Sequence, residues 1–520
     1  LHGALLLFAV LSGCGVLFHK PRPQPDAAPA WGVRCAWEIP ARAAATIEAP
    51  TIGRTWARET GGRRLLVDGG LEDGFLRVDA LRAVDDSAST VALPPSWRAV
   101  NDACAATVRA QHGGAASVYE VFAAREGEDV PVTMAFPPQP GGPRITRLVL
   151  FGDSLSDSGN LKQRLEVFPA APYWLGRFAN GPNWVDRLAR DTDLAVQNHS
   201  FGGAVSAPLD DIPAVDVLAA IQAGGQRVVT GSIDRYIDDY IRRDLAGGAL
   251  RRPRETLFVL WAGANDYLSK EPFGGDIATL LDSPSGAAGY REAVDTVVAA
   301  TVDQVRRLHA AGARHFMVAT LPDLGRMPLV LHNTSYQPRG VRGEDARRAQ
   351  LSRKLSALTA AHNAALRRAL AQLATALPDA TVADADAARM FASMIASRAL
   401  RDRAQRFDYG FDLASLARTL QDAQGAVGVQ DRCYRGGYLG SRDPHEICPE
   451  VARIFFWDAV HPSAYAHCWI GWFVQTELAR HGLRSRAPSV QEARRRCETT
   501  NPALPKQSVR TTDYTDRADF

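Results

Sequence analysis

The chain has 520 residues, with 60 Lys and Arg against 57 Asp and Glu, for a formal net charge of +3. This balance excludes a strongly charged binding protein, so we expect no nucleic-acid partner. A hydrophobic content of 46% is typical of a globular protein with a substantial core, and the length predicts two or three domains. No Cys or His spacing is typical of a metal site, and we expect no metal and no cofactor.

The chain begins with an apolar stretch, and charge starts only at Lys20. The run from Gly3 to Phe18 is shorter than the ~20 residues that span a bilayer, so we predict a signal peptide over residues 1–20. Within it, LSGC resembles the lipobox of bacterial lipoproteins, in which the cysteine carries the lipid. The resemblance implies lipidation at Cys14 and an exported, membrane-anchored protein at the outer membrane or cell surface. The alternative is a plain signal peptide and a secreted protein.

A Pro- and Ala-rich linker over residues 21–30 leads into a first predicted domain, residues 31–140. This segment contains short apolar pieces such as FLRVDAL and SVYEVFA, separated by Gly, Asp and Pro, which predict a small β-rich domain. The sequence assigns it neither chemistry nor a protein partner. A second linker, PPQPGGPR, marks its end, and residues 485–520 are predicted to be a polar tail.

Strands and helices alternate over residues 145–484, the second predicted domain. The predicted strands are RLVLFGD, LAVQNHS, TLFVLWAG, HFMVATLP and TVADAD. A long helix starts near Glu344, and His362 lies in its leucine stripe, where we predict a packed core histidine. The alternation predicts an α/β fold with a mostly parallel sheet and helices on both faces, which binds ligands at the carboxyl ends of its strands.

Four polar stretches could supply a catalytic serine and the chemical groups that it needs. FGDSLSDSGN places Ser154 at a strand end, QNHSFGGA places Gly203 after the next strand, and WAGAND supplies Asn265. In WDAVHP, Asp458 and His461 are three residues apart, a spacing that lets the carboxylate hold the imidazole. A serine hydroxyl needs an adjacent base, and the oxyanion formed in acyl transfer needs hydrogen-bond donors.

Together these stretches resemble the four marker blocks of the SGNH/GDSL hydrolases, over roughly residues 145–480. The resemblance implies a three-layer αβα, flavodoxin-like domain with Ser154 as nucleophile, His461 as base and Asp458 as its orienting carboxylate. It implies an oxyanion hole made of the backbone amides of Ser154 and Gly203 and the side chain of Asn265. The absence of a GxSxG elbow argues against the α/β-hydrolase fold. Asp157 and Asn160 are predicted to be structural parts of the serine turn, and Pro462 to begin the helix after the histidine.

The segment before the histidine indicates a branch of that family. CYRGGY, Cys448 and FFWDAVHP resemble the bacterial phospholipase and glycerophospholipid–cholesterol acyltransferase group. This implies a serine esterase or lipase for glycerophospholipid or lysophospholipid acyl esters, with acyl transfer as a further activity. One alternative is a carbohydrate or short-chain acyl esterase, and another is a non-catalytic surface-binding lipoprotein.

Six cysteines remain besides Cys14, and their even number in an exported chain predicts disulfides. Of the 15 connectivities that six cysteines allow, sequential pairing is the simplest. It would join Cys433 to Cys448, a bridge that we also expect to shape access to the site. The other two pairs would be 35–104 and 468–497.

Overall fold

The computed structural model describes residues 30–499 with internal gaps, which are 42–47, 129, 139–140, 143, 209–230, 269–280, 282–286, 396–408, 442 and 485. The predicted signal peptide, Cys14 and the last twenty-one residues therefore lie outside the described residues. Within the described part, no helix is both long enough and apolar enough to cross a bilayer.

A mostly antiparallel sheet forms the N-terminal β-rich region, which we call the first domain after the prediction. Its strands among the described residues are β1 Trp31–Ile39, β2 Thr51–Trp56, β3 Arg64–Glu72, β4 Phe75–Val84, β5 Thr90–Leu93, β6 Ser117–Arg125 and β7 Met134–Ala135. The strand order is β2-β1-β3-β4-β5, with β6 also paired to β1 and β7 paired in parallel to β4. The prediction of an N-terminal β-rich region is confirmed, although β1 and β2 were not predicted.

One helix, α1 Trp97–His112, covers this sheet and was also not predicted. Ser96 caps it, because its hydroxyl accepts a hydrogen bond from Ala99 N at 3.2 Å. The disulfide between Cys35 and Cys104 joins β1 to the helix, as sequential pairing predicted. Both sulfurs lie in the hydrophobic core of the domain.

The turn between β3 and β4 fixes the first domain to the second. The guanidinium of Arg147, at the start of the second domain, pairs with Glu72 at 3.3 Å and Asp73 at 3.4 Å, and all three side chains are buried. Asp73 also accepts hydrogen bonds from the amides of Arg251 and Arg252, at 3.0 and 3.1 Å. Because breaking such a buried, paired cluster is costly, the contact holds the two domains in one arrangement.

The second domain is built on a parallel sheet of strand order β12-β11-β10-β8-β9. Its strands are β8 Arg147–Gly152, β9 Ala195–Asn198, β10 Thr256–Trp261, β11 His315–Ala319 and β12 Thr381–Ala385. Counted within this domain, the order is 2-1-3-4-5, which is that of flavodoxin-like folds. The predicted fold class is therefore confirmed. The order reverses between β8 and β10, and ligands bind at such switch points.

Helices cover both faces of this sheet. They are α2 Asn160–Leu165, α3 Trp184–Asp191, α4 Ile233–Arg243, α5 Ala264–Leu268, α6 Ala287–Ala310, α7 Leu329–His332, α8 Glu344–Ala376, α9 Ala387–Ile395, α10 Ala464–Arg480 and α11 Val490–Thr499. On β10, Trp261 packs against Trp184 of α3, whereas Phe258 packs against Tyr240 of α4. Because side chains of opposite parity on a strand point to opposite faces, α3 and α4 lie on opposite sides of the sheet.

The C-terminal region differs from two expectations. Helix α10 begins at Ala464, with Ser463 as its N-cap accepting from Ala466 N, so Pro462 precedes the helix instead of beginning it. The segment predicted to be a polar tail contains helix α11, which the Cys468–Cys497 disulfide joins to α10. A further hairpin, β13 Ala417–Asp422 and β14 Gly425–Gln430, precedes the segment that leads to the histidine.

Candidate active site

Ser154 lies just beyond the carboxyl end of β8, at the switch point of the sheet. The strand is buried along its whole length and ends at Gly152, two residues before the serine. A Cβ atom on Gly152 would lie 2.9 Å from both Ser200 Oγ and Trp261 O, so only glycine fits between the two neighbouring strand ends. The strand thus delivers the serine to the edge where ligands bind, and Ser154 itself is only partly buried.

The carboxylate of Asp157 ties the serine turn to the glycine turn after β9. It accepts hydrogen bonds from Gly202 N at 2.8 Å and from the amides of Gly159 and Asn160 at 2.8 and 2.6 Å. Asn160 Nδ2 reaches across to Ser200 O at 2.9 Å. Burial raises the pKa of Asp157 to about 6, against the effect of these donors. Both residues act as turn residues, as the sequence predicted.

Three of the predicted residues meet at hydrogen-bond distance. His461 Nε2 lies 2.7 Å from Ser154 Oγ, and His461 Nδ1 lies 2.7 Å from Asp458 Oδ2. The serine and the histidine are 307 residues apart in the chain. Asp458 and His461 are 3% and 5% exposed, so water competes little for these contacts. This is the geometry in which a base can take the proton of a serine hydroxyl.

Asp458 is held in a tight turn and stays ionised. Its Oδ1 accepts hydrogen bonds from Val460 N at 2.9 Å and His461 N at 2.8 Å. Burial acts to raise its pKa, but the nearby His461 and the hydrogen bonds from His461, Tyr173 and Val460 bring the pKa below its ordinary value. A buried carboxylate in this place fixes the Nδ1–H tautomer of the imidazole, which leaves Nε2 free to act as a base.

Tyr173 is a part of this constellation that sequence reasoning missed. Its hydroxyl donates to Asp458 Oδ2 at 2.7 Å, and its side chain is buried. The two residues are 285 positions apart, and Tyr173 lies in a loop without apolar periodicity. No local pattern in the sequence signals such a contact.

The two predicted oxyanion donors outside the serine turn are connected through Ala204, which follows Gly203 in the chain. Gly203 has φ of 84°, a conformation that favours glycine. Asn265, at the start of α5, donates through Nδ2 to Ala204 O at 3.0 Å. The adjacent Asp266, which the sequence analysis did not single out, accepts from Ser206 N at 2.9 Å and fixes the same loop. The role of Gly203 and Asn265 towards an oxyanion stays a prediction.

Aromatic rings from two loops border the histidine. The Phe178 ring centroid lies 4.9 Å and the Tyr438 centroid 5.9 Å from that of His461. Tyr438 belongs to the segment closed by the Cys433–Cys448 disulfide, which is formed as predicted. The bridged loop therefore contacts the site, and its effect on access stays a prediction.

The remaining predicted residues lie elsewhere. Cys14 falls outside the described residues, so its lipidation stays a prediction. His362 is 1% exposed and pairs through Nδ1 with Tyr267 OH at 2.8 Å, and burial lowers its pKa to about 4. It is a packed core histidine, as predicted. Within the described ranges, no three His, Cys, Asp or Glu side chains converge as a metal site would require.

The amino-acid sequence is similar to those of known lipases and acyltransferases. The family model for GDSL-like Lipase/Acylhydrolase matches residues 148–471, more than half of the chain. The chain is 29% identical over 189 residues to a phosphatidylcholine-sterol acyltransferase of Aeromonas hydrophila, a match that covers 36% of this chain and 47% of that protein. It is 24% identical over 342 residues to the thermolabile hemolysin of Vibrio parahaemolyticus, covering 63% of this chain and 62% of the hemolysin.

The chain thus spans about half to two thirds of the length of these relatives. Among solved structures, phospholipase A1 from Streptomyces albidoflavus is 14% identical, and the match covers 48% of this chain and 83% of that one. Its TM-score of 0.25 is too low to establish a shared fold. The family match covers the serine turn, the glycine turn, Asn265 and the Asp458–His461 turn, and on its extent the chain belongs to the GDSL-like lipase/acylhydrolase family.

Proposed function

We propose that this protein is a serine ester hydrolase that cleaves acyl esters of glycerophospholipids or lysophospholipids through an acyl-enzyme. One observation carries the proposal. A hydroxyl, an imidazole and an ionised carboxylate follow one another at 2.7 Å spacings, from Ser154 through His461 to Asp458, at the ligand-binding edge of the sheet.

Acylation begins as Ser154 Oγ attacks the carbonyl carbon of the ester. His461 Nε2 accepts the hydroxyl proton, and Asp458 stabilises the imidazolium that results. The new C–O bond pushes the carbonyl electron pair onto the oxygen, which becomes a tetrahedral oxyanion. The imidazolium then protonates the leaving alcohol as its C–O bond breaks, and the acyl group remains on Ser154.

The oxyanion is stabilised by donors placed before the reaction. In the proposed site these are the amides of Ser154 and Gly203 and the amide group of Asn265. Asn265 Nδ2 carries two hydrogens and donates to Ala204 O in the free protein, a contact that holds its amide group against the glycine turn. Each such donor contributes about 2.7–4 kcal/mol of transition-state stabilisation when it is well placed.

Deacylation repeats these steps with a second nucleophile. His461 deprotonates a water molecule, which attacks the acyl carbonyl and releases the fatty acid and Ser154. An alcohol can take the place of water, in which case the product is a new ester and the reaction is acyl transfer. The similarity to the phosphatidylcholine-sterol acyltransferase of Aeromonas hydrophila supports a phospholipid donor and an alcohol acceptor.

We further propose that the protein is exported and anchored to a bacterial membrane by lipid on Cys14. Three disulfides are formed in the described part of the chain, and disulfides persist in oxidising compartments. An anchor would hold the site near the lipid substrate that we propose. The alternative, a secreted and unmodified protein, needs no change in the chemistry.

A substrate panel tests this function. Purified wild type and Ser154→Ala are each incubated with p-nitrophenyl butyrate, p-nitrophenyl palmitate, lysophosphatidylcholine and acetylated xylan. We expect the wild type to cleave lysophosphatidylcholine and the palmitate ester, and Ser154→Ala to cleave neither. Cleavage of acetylated xylan alone would instead identify a carbohydrate esterase, and no turnover of any ester by the wild type would contradict the proposal.

A further inference from the structure

Tyr173 completes the environment of the carboxylate. Its hydroxyl donates to Asp458 Oδ2 at 2.7 Å, the oxygen that also lies 2.7 Å from His461 Nδ1. Backbone amides hold only the other oxygen, Oδ1, among the contacts described above. His461 Nδ1 also lies 2.9 Å from Oδ1, so the imidazole faces both oxygens and the phenol holds the nearer one.

The phenol is a permanent donor. Burial first, and then the charge of Asp458, raise the pKa of Tyr173 well above its ordinary value. The hydroxyl consequently keeps its proton throughout the pH range in which the enzyme would work. Rings of Tyr434, Tyr438 and Trp457 surround Tyr173, with centroids 5.5, 5.6 and 6.5 Å away, which limits its movement.

Two residues of the first domain contact Trp174, which follows Tyr173 in the same loop. Trp174 Nε1 donates to Glu38 Oε2, on strand β1, at 2.7 Å, and the Tyr119 ring of β6 meets the Trp174 ring edge-on at 5.9 Å. The guanidinium of Arg177 also lies over the Trp174 ring, 5.0 Å from its centroid. The indole is thus clamped between the two domains.

The backbone conformation of this loop also depends on contacts with its surroundings. Leu175 has φ of 47° and ψ of 39°, the left-handed region. For a residue with a side chain that conformation costs about 1–2 kcal/mol, so surrounding contacts have to maintain it. The first domain can supply such contacts, since the ion pairs of Arg147 with the β3–β4 turn also join it to the parallel-sheet domain at a separate place.

We propose that Tyr173 is a positioning residue for Asp458, and that the N-terminal β-rich domain serves catalysis by fixing the Tyr173–Trp174 segment through Glu38 and Tyr119. The proposal rests on the proposed serine hydrolase mechanism and gives residues 31–140 a role in it. Tyr173 touches no reacting atom and acts through Asp458 alone.

Other ionisable groups also face this carboxylate and its histidine. These groups are Asp153, Tyr434, Tyr438 and His467. Their effects on Asp458 and His461 stay the same in the variants below, so changes in pH dependence can be assigned to the phenol of Tyr173.

The first variant is Tyr173→Phe, which removes only the hydroxyl. Without its donor, Asp458 Oδ2 is less well placed, and kcat for p-nitrophenyl butyrate should fall about tenfold with little change in KM. The negative charge of Asp458, no longer partly neutralised by the hydrogen bond from the phenol, also stabilises the imidazolium more strongly. The acid limb of the kcat/KM profile should therefore move to higher pH. A merely structural role would lower the melting temperature without moving this limb.

The second pair of variants tests the domain contact. Glu38→Ala removes the acceptor for Trp174 Nε1, whereas Glu38→Gln keeps a carbonyl oxygen there and serves as the conservative rescue. We expect kcat to fall about threefold in Glu38→Ala and to stay near wild type in Glu38→Gln. Glu126→Ala removes an exposed carboxylate of the same domain that pairs only with Arg64 among the described contacts, and it is the matched control.

A double variant links the two observations. If Glu38 acts through Tyr173, then Glu38→Ala should have almost no further effect in the Tyr173→Phe background. Independent, additive losses would overturn the link between the domain and the phenol. An unchanged kcat and pH profile in Tyr173→Phe would overturn the positioning role.

A measurement without substrate separates these outcomes from a failure of the proposed function. The rate of fluorophosphonate labelling at the active serine should follow the same order, with Tyr173→Phe slower than wild type and Glu38→Gln unchanged. Labelling of a serine other than Ser154 would contradict the proposed function itself. Should Tyr173→Phe be too unstable to assay, equal labelling rates in Glu38→Ala and Glu38→Gln would overturn the proposal.

Discussion

Replacing Asp458 by asparagine exchanges one carboxylate oxygen at the centre of the site for an NH₂ group. In the native protein Oδ1 accepts from Val460 N at 2.9 Å and His461 N at 2.8 Å. The asparagine carbonyl oxygen must occupy that position, because an NH₂ group there would face two backbone donors. The NH₂ group then faces His461 Nδ1 at the shorter of its two contacts with residue 458, 2.7 Å against 2.9 Å, which favours an Nδ1 without a proton. The imidazole adopts the other tautomer, and the Nε2 atom that faces Ser154 becomes a donor.

The expected loss follows from this tautomer change. An imidazole protonated at Nε2 cannot accept the serine proton, and the equivalent change in a serine protease triad lowers kcat on the order of 10⁴-fold. That factor corresponds to about 5.4 kcal/mol of barrier. The two backbone hydrogen bonds survive, so the fold should be kept.

Stability should depend on pH in a defined direction. Because the folded-state pKa of Asp458 lies below its ordinary value, its ionisation favours folding above the unfolded-state pKa of about 4 and loses this effect as pH falls through the folded pKa. Asparagine lacks this contribution. We therefore expect Asp458→Asn to be less stable than wild type at pH 7, and the difference to shrink on acidification.

Steady-state hydrolysis of p-nitrophenyl butyrate measures kcat, and urea unfolding at several pH values measures stability. Asp379→Asn is the matched control, since Asp379 pairs with His309 at 2.9 Å on the surface and its replacement should leave kcat unchanged. A loss of less than tenfold in Asp458→Asn would refute the assignment of Asp458 as the orienting carboxylate.

Three further predictions concern the rest of the site and the anchor. Asn265→Ala should lower kcat by about 10²- to 10³-fold with a modest change in KM, and an unchanged kcat would make Asn265 a turn residue only. Replacing Cys433 and Cys448 by serine opens a loop of 15 residues and should cost about 3 kcal/mol in urea unfolding. An altered kcat at full folding would show that the bridge also controls access to the histidine, whereas no loss of stability would contradict its role as a staple. Cys14→Ser should move the protein from the detergent phase to the aqueous phase at constant specific activity, and a wild type without lipid would contradict the anchor.

The parallel sheet and the chemical groups at its edge could be predicted because each has a local signal. Strands β8 and β10 each contain an apolar run, LVLF and LFVLW, and the polar residues of the site follow soon after the strands end. The position of Ser154 was therefore predictable from the end of β8. Its contact with His461, 307 residues away, was implied only by the family resemblance.

The structure of the first domain was less predictable, because its signals are weak. Strand β2 has no fully buried residue, so it lacks the apolar alternation that marks a half-buried strand. Helix α1 buries a stripe that includes Ala103, Cys104 and Thr107, residues too small or too polar to stand out. The contact from Glu38 to Trp174 crosses 136 residues and depends on how two domains meet, which no local pattern contains.

In the mechanism that we propose, Ser154 is the nucleophile that forms an acyl-enzyme. Wild-type protein is treated with a fluorophosphonate, digested, and mapped by mass spectrometry, with His461→Ala as a comparison. We predict one stoichiometric adduct on the peptide that contains Ser154, and labelling that is slower by orders of magnitude when the histidine is absent. An adduct on another serine, or ester hydrolysis that persists in Ser154→Ala, would contradict the account.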